Sequence, residues 1–317
     1  MNFKRAIAAA VCAAAVLSLA GCGKEETSTP ANTNNSTVNT GTSTPKTTSQ
    51  TESSAPQTSD TNSQADSTGN EEASEVLVEA EGVDGDYKYR GVKGGVEIVE
   101  YTGEGGDIVI PQELGGYKVK EIVHQAFSFC KNITSAIIPD GVTYVNGFSY
   151  CNTLTSVTMP NSVTRIGDMA FENCENLTNI TIPDGVKRIG NSAFNKCASL
   201  TSINIPDSVT SISAYAFAQC SNLTSVTLSN SLTSISQGVF NNCSSLASVE
   251  IPAGVTTIGK SAFINCISLT SVTIPDSVTE IDTSAFNLCE NLKNATYKGQ
   301  TYDFAHIDDL YTAINGN

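Results

Sequence analysis

Chemistry in this chain would have to come mainly from sulfur. Ten of the 317 residues are cysteine, against two histidines, His124 and His306, and no tryptophan. Eight of the cysteines, Cys130, Cys151, Cys174, Cys197, Cys220, Cys243, Cys266 and Cys289, stand 23 residues apart after one opening step of 21. Thiols so placed offer three chemistries. Metal ligation is not expected, because ligands this far apart form no C-x-x-C knuckle. Disulfides would suit an even count in a secreted chain. However, equivalent residues on neighbouring coils would lie ~4.8 Å apart with near-parallel Cα–Cβ vectors, beyond the ~3.5–4.5 Å that a disulfide needs between Cβ atoms. Nucleophilic attack needs a base, and none recurs beside the cysteines. They are expected to form a ladder of small, buried, reduced thiols that fill a core.

Other reactive constellations are weaker still. Two histidines all but exclude a His-centred triad or a multi-His metal site. His124 falls in a bend, where an exposed polar residue is ordinary, and His306 near the start of a terminal helix. Asp84-Gly85-Asp86 opens like a calcium loop but lacks the remaining ligands and the distal Glu, so a surface turn is expected. The acids are spread over bends and caps, with no cleft to gather them. No enzyme, metal or other cofactor is therefore expected. Charged residues make up 15% and the net charge is −15, the wrong balance for neutralising phosphates, so nucleic acid is not an expected partner.

The elements that hold the cysteines repeat with them. Phe sits three residues before each one, from Phe127 to Phe286, and Ile133 or Leu three residues after. Apolar residues follow at six and eight, such as Ile203 and Ile205, and at twelve and fifteen, such as Val209 and Ile212. Pro stands at nine, from Pro139 to Pro275, with Ser229 the exception inside the array. A fixed period of this length means a solenoid. Leu200–Ile205 reads as a short strand with Ile203 and Ile205 inward and Ser202 and Asn204 outward. Pro206 ends the ladder. Asp-Ser-Val or Asp-Gly-Val turns the chain, and Ile-Gly-x-x-Ala-Phe-x-x-Cys returns it. The first coil lacks two residues at Val145-Asn146-Gly147-Phe148, which marks an exposed bend. Stacked at strand spacing, eight coils give a rod roughly 40 Å long.

The string Leu-x-x-Val-x-Ile-Pro-x-x-Val-x-x-Ile-Gly-x-x-Ala-Phe-x-x-Cys is similar to the BspA-like, Treponema-type leucine-rich repeat of bacterial surface proteins. The resemblance covers residues 126–297 in register. It implies a mostly β (α+β) solenoid, a right-handed 23-residue coil with short parallel strands, and roles in adhesion to host matrix proteins, other cells or surface polymers. Unlike the commoner leucine-rich repeat, no Asn follows the strand. An Asn or Ser column two residues after each Cys (Asn132, Asn176, Ser199, Asn222, Asn291) is expected to serve backbone groups in the bend.

Open solenoids need caps. Residues 76–125 are expected to form an N-terminal β cap, with strands at Tyr87–Arg90, Val96–Tyr101, Ile108–Ile110 and Tyr117–Ile122. Residues 298–317 are expected to form a C-terminal hairpin-helix cap. Its hairpin turns at Gly299-Gln300, and its helix carries Ile307, Leu310, Tyr311 and Ile314 on one face and ends before Gly316.

Upstream of the repeat lies an address. Lys4 and Arg5 precede an apolar run too short to span a bilayer, which ends in Leu19-Ala20-Gly21-Cys22. That string looks like a bacterial lipobox. The resemblance implies a signal peptide over residues 1–21, with Cys12 removed, and a diacylglyceryl thioether on Cys22. Two acyl chains suffice for stable attachment, and the lipid is expected to be the only membrane contact. Residues 24–75, rich in Thr, Ser, Asn, Gln and Pro, bury too little to order themselves. With Cys22 they form the lipid anchor and disordered stalk (22–75), whose ~52 stalk residues span roughly 40 Å.

The outward strand residues are the candidate binding face: Ser156, Thr158, Asn179, Thr181, Ser202, Asn204, Ser225, Thr227, Ser248, Glu250, Ser271 and Thr273. This is a hydroxyl-rich surface with few charges and no aromatics. A merely soluble face built from β-compatible Thr and a water-ordering, ice-binding array stay open beside it. Two smaller patches are Arg165, Lys187 and Arg188, in the bends after the strands, and Phe129, Tyr144 and Tyr150 near the first coil, since Arg and aromatics favour interfaces. The expected function is a monomeric, non-catalytic cell-surface lipoprotein that binds proteins or glycans. The alternative is a structural scaffold or docking component of the bacterium's own envelope.

Overall fold

The computed structural model describes residues 77–316. The signal peptide, Cys22 and all of the stalk lie outside the described residues. Most coils make two short strands, not the single strand that alternation reveals. The first follows the cysteine: Ile133–Ile137, Ser156–Thr158, Asn179–Ile180, Ser202–Asn204, Ser225–Thr227, Ser271–Ile274 and Asn294–Tyr297. The second ends on the inward Val or Ile fifteen residues after it, as in Tyr144–Val145, Arg165–Ile166, Arg188–Ile189, Ser211–Ile212 and Glu280–Ile281. Two residues are too few to show a period of two, so this strand leaves no alternation in the sequence. Where like strands of successive coils pair, they do so in parallel and in register, for example Ser202↔Ser225 and Arg165↔Arg188. On the third side the Ala-Phe-x-x-Cys segments are stacked turns. Each Phe N–H from Phe127 to Phe263 donates to a carbonyl of the next coil at 2.7–3.0 Å. Coil-to-coil hydrogen bonds therefore run along all three sides, as a buried backbone requires.

Inside, the columns pack as the period demands. The eight phenylalanines three residues before the cysteines, from Phe127 to Phe286, are wholly buried, with successive ring centroids 4.7–5.8 Å apart and planes within 17° of parallel. Offset stacking of this kind adds about 0.5–1.5 kcal/mol per pair beyond area burial. Tyr101 stacks on Phe127 and extends the column into the cap. At the one coil without Pro, Ser229 is wholly buried; its hydroxyl donates to the Val209 carbonyl at 2.6 Å and accepts from the Ser231 N–H. Elsewhere Ser162, Ser208 and Ser277 make the corresponding bond to the coil before.

The residue before every cysteine, from Phe129 to Leu288, has a left-handed backbone with φ of 57–62°. This reversal turns the chain between the Phe and Cys columns. It suits Asn and costs other L-residues about 1–2 kcal/mol, which sets the bulky occupants of the column apart.

Six strands precede the first Cys-bearing coil: β1 (Glu81–Asp84), β2 (Tyr87–Val92), β3 (Gly95–Tyr101), β4 (Gly106–Val109), β5 (Glu113–Leu114) and β6 (Tyr117–Ile122). β1, β2 and β3 form an antiparallel meander. β3 and β6 continue the second-strand sheet in parallel, and β4 pairs in parallel with Ile133–Ile137. The coil thus extends N-terminally of residue 126. Asp84-Gly85-Asp86 sits at the β1–β2 turn, with Gly85 at φ 55°, and Asp84 Oδ2 accepts the Gly115 N–H at 2.9 Å.

At the C-terminus, Asn294–Tyr297 pairs antiparallel with Gln300–Asp303. The turn is Lys298-Gly299, one residue earlier than the sequence placed it. Both residues have positive φ, 50° and 73°, the geometry a two-residue hairpin needs, and Gly at the second position meets it. Helix α1 (Ile307–Asn315) buries Leu310, Tyr311 and Ile314 and ends at Gly316 in a left-handed cap. Its last residue closes the second-strand sheet: the Asn315 side-chain amide donates to the Ile281 carbonyl and accepts the Ile281 N–H, both at 2.9 Å.

Candidate functional site

The strand face is built by alternation over a closed floor. Val157, Ile180, Ile203, Val249 and Val272 point into the core, and their neighbours point out. Of the twelve named residues, all but the half-buried Ser156 are exposed. Ser202, Asn204, Ser225 and Thr227 face one another in register on paired strands. Thr181 lies just past its strand, and the Ser248–Glu250 segment makes only an isolated bridge, Glu250 to Thr273. A Thr column beside the face stiffens it. Thr155, Thr178 and Thr224 donate their hydroxyls to the Thr carbonyl of the coil before, at 2.9, 3.3 and 3.0 Å. At the N-terminal end, Asp107 Oδ1 accepts from Thr134 and Ser135, both at 2.7 Å, and these bonds hold its carboxyl below the usual range. Beyond them Val109 and Ile137, cross-strand partners, are 68% and 46% exposed. They are the apolar patch on an otherwise hydroxylic surface.

The eight column cysteines are free and buried. From Cys151 onward each Sγ donates to the carbonyl of a Phe in an earlier coil, at 3.0–3.2 Å. Burial pushes Cys174 and Cys220 up to about 12, and Cys197 and Cys243 well above the ordinary value. Cys266 is held protonated by the neighbouring Cys289 and by burial. A thiol so protonated is a poor nucleophile and a poor ligand. Among the described residues no group of three or more His, Cys, Asp or Glu is placed to hold a metal ion.

The basic patch lies on strands, not in bends. Arg165 and Arg188 are paired residues of the second-strand sheet, with Lys187 just before. Alternation with the inward Ile166 and Ile189 turns both arginines out. Arg165 lies over the Tyr144 ring at 4.1 Å, and Arg188 Nη2 donates to Ser213 Oγ at 3.4 Å. A hollow of about 340 Å³ takes in His124, Tyr144, both arginines and Asp168. Glu121, two coils before Arg165 in the same row, has its carboxyl raised by burial and by Glu97, partly offset by Arg165. Tyr144 therefore belongs with the arginines, whereas Phe129 and Tyr150 stack on each other on the turn side.

Two residues of the Asn column serve the bends: Asn176 and Asn291 Nδ2 donate to the carbonyls of Asn152 and Ile267 at 2.6 and 2.8 Å. The turn side also carries a trough along the axis, through Lys196, Gln219, Asn242 and Asn265. Strand alternation does not point to it. Its signal is the residue before each cysteine, read down the repeat.

Comparison with known proteins agrees with this architecture. The family model described as "BspA type Leucine rich repeat region" matches six copies over residues 120–226, 144–263 and 210–306, together more than half of the chain. The crystal structure of a leucine-rich repeat protein from T. pallidum is similar at 28% identity and TM-score 0.53, covering 60% of this chain and 87% of that one. A leucine-rich repeat protein from Bacteroides ovatus is similar at 25% identity and TM-score 0.52, covering 68% and 70%. No curated protein matches the chain.

Proposed function

The chain belongs to the BspA-type leucine-rich repeat family, and from that premise we propose that it is a non-catalytic surface lipoprotein whose solenoid binds other macromolecules. The repeat fold is generally a protein-interaction scaffold. The observation that carries the reading is the strand face. It presents exposed hydroxyls and amides in register on a frame whose own polar groups are satisfied coil to coil. Such a face loses little entropy on binding, because its backbone is already fixed. The lipobox-like string at Cys22 supports an extracytoplasmic, lipid-anchored placement, and residues 24–75 would supply the reach. No helix among the described residues is long and apolar enough to cross a membrane.

The test is a binding screen of the full chain against matrix proteins, glycans and intact cells, with Thr227→Arg as the face variant. Saturable binding weakened by T227R supports the reading. No saturable binding to any of them overturns it. Cys22→Ser is expected to abolish incorporation of labelled fatty acid, and retained label would refute the anchor. A second reading, a docking component of the cell's own envelope, draws on the exposed Val109–Ile137 pair. Cross-linking in the parent cell separates the two, since a scaffold should return self proteins.

A further inference from the structure

The turn side of the coils carries a second surface with a different chemistry. Asn, Gln and Lys fill the middle of the left-handed column, from Asn173 to Asn265. The first two coils instead place Phe129 and Tyr150 there, where the backbone disfavours bulky residues. Their rings stack at 4.8 Å with planes 12° apart, and they remain 48% and 40% exposed. The core does not demand them, since the buried Phe column runs separately beside them. Aromatics held in a left-handed backbone, outside the buried Phe column and with much of each ring in solvent, point to a binding role. Further along the same column a trough of about 490 Å³ is lined by Glu175, Lys196, Gln219, Ser221, Asn242 and Asn265, among others. Two of its amides, Asn265 and Asn242, are linked along the axis, Asn265 Nδ2 donating to Asn242 Oδ1 at 2.6 Å, and Gln219 Nε2 reaches Asn195 Oδ1, outside the lining, at 3.5 Å. Its two charges, Lys196 and Glu175, are opposite in sign.

We infer that this turn side is a binding groove for a neutral, linear polysaccharide. An amide is donor and acceptor at once, and so is a sugar hydroxyl, so a row of Asn, Gln and Ser matches a polymer of hydroxyls. The Phe129–Tyr150 pair supplies an apolar platform for the C–H face of a sugar ring. A polyanion would call for clustered Lys and Arg. A protein partner would call for an apolar interface centre. The trough has neither. The coils repeat every ~4.8 Å, about the size of one sugar unit, so successive amides meet successive rings of an extended chain.

The inference deepens the binding reading by naming a ligand class, and rests on it only for access to the polymer. The purified full chain is titrated calorimetrically with cello-, laminari-, manno- and xylohexaose, and with oligogalacturonate as the charged comparator. Tyr150→Asn and Phe129→Asn restore the column's own residue, so both variants should fold, and Gln219→Ala probes the trough. The expected result is saturable binding of a neutral hexaose that falls about tenfold or more in Y150N, F129N and Q219A. The inference is overturned if no neutral hexaose binds, if oligogalacturonate binds better, or if the variants bind like the parent. Failure here with matrix-protein binding retained removes this inference alone, whereas failure of all binding removes both.

Discussion

Alkali should open this solenoid well before it disturbs most folded domains. A buried cysteine must ionise inside the core, and burial penalises the charged form. Cys174 and Cys220 are pushed from an ordinary 9.0 to about 12, and Cys197 and Cys243 well above 9.0, in each case chiefly by burial. The folded chain therefore keeps protons that the unfolded chain has released, and stability falls as pH rises above about 9. At about pH 10 Cys174 and Cys220 together lose roughly 3 kcal/mol, and Cys197 and Cys243 act in the same direction. That is a large share of the stability of a domain, about 5–15 kcal/mol. At about pH 8 the loss is close to nil. Tyr87 and Tyr311, both pushed up to about 12 chiefly by burial, act in the same direction. Thermal melts followed by circular dichroism from pH 7 to about pH 10.5, with thiolate absorbance recorded in parallel, test this. The melting temperature should fall steeply above about pH 9, and the thiolates of Cys174, Cys197, Cys220 and Cys243 should appear only together with unfolding. Cys220→Ala should flatten the slope by one cysteine's share. Ionisation of Cys174, Cys197, Cys220 or Cys243 near pH 9 in a chain with native dichroism, followed in a variant whose other cysteines are replaced by Ala, would refute the reasoning; Cys289, lowered by its hydrogen bond with Cys266, does not test it.

Three substitutions probe the coil itself. Phe217→Ala removes a wholly buried ring between Phe194 and Phe240, at 5.1 and 5.8 Å. It should cost about 3–5 kcal/mol and split the calorimetric transition in two, because coils couple only to their neighbours. Ser229→Pro restores the repeat's own residue, yet should destabilise by about 1–2 kcal/mol in a denaturant titration, since both bonds of the buried hydroxyl are lost. Asn315→Ala removes two hydrogen bonds to Ile281. It should cost about 1–2 kcal/mol and speed hydrogen exchange at the Ile281 amide.

What repeats in side-chain identity was legible. The Phe, Cys, Leu and Ile columns all point inward, and the cap helix buries Leu310, Tyr311 and Ile314 on the face that its spacing marks. What depends on backbone partners was not. The second strand is two residues long, so Arg165 and Arg188 read as bend residues although they lie on a sheet. The thiol bonds end on carbonyls, which every residue has, so no partner column betrays them. Ser229 looks like a lapse in the Pro column until its bond to Val209 is seen. The turn-side trough follows from a positive φ that no single side chain announces, because Phe, Tyr, Lys, Gln and Leu occupy it alongside Asn.

A pile of like coils has no natural length, since each layer invites the next. Asn315 supplies the full stop. By imitating the amide of a layer that is not there, it occupies the N–H and carbonyl of Ile281, which would otherwise recruit a neighbour. Left bare, that rim would offer a foothold to a second molecule, and head-to-tail contacts of this sort propagate into fibres rather than closed pairs. A coil of 23 residues inserted in the middle would leave that blocked rim unchanged.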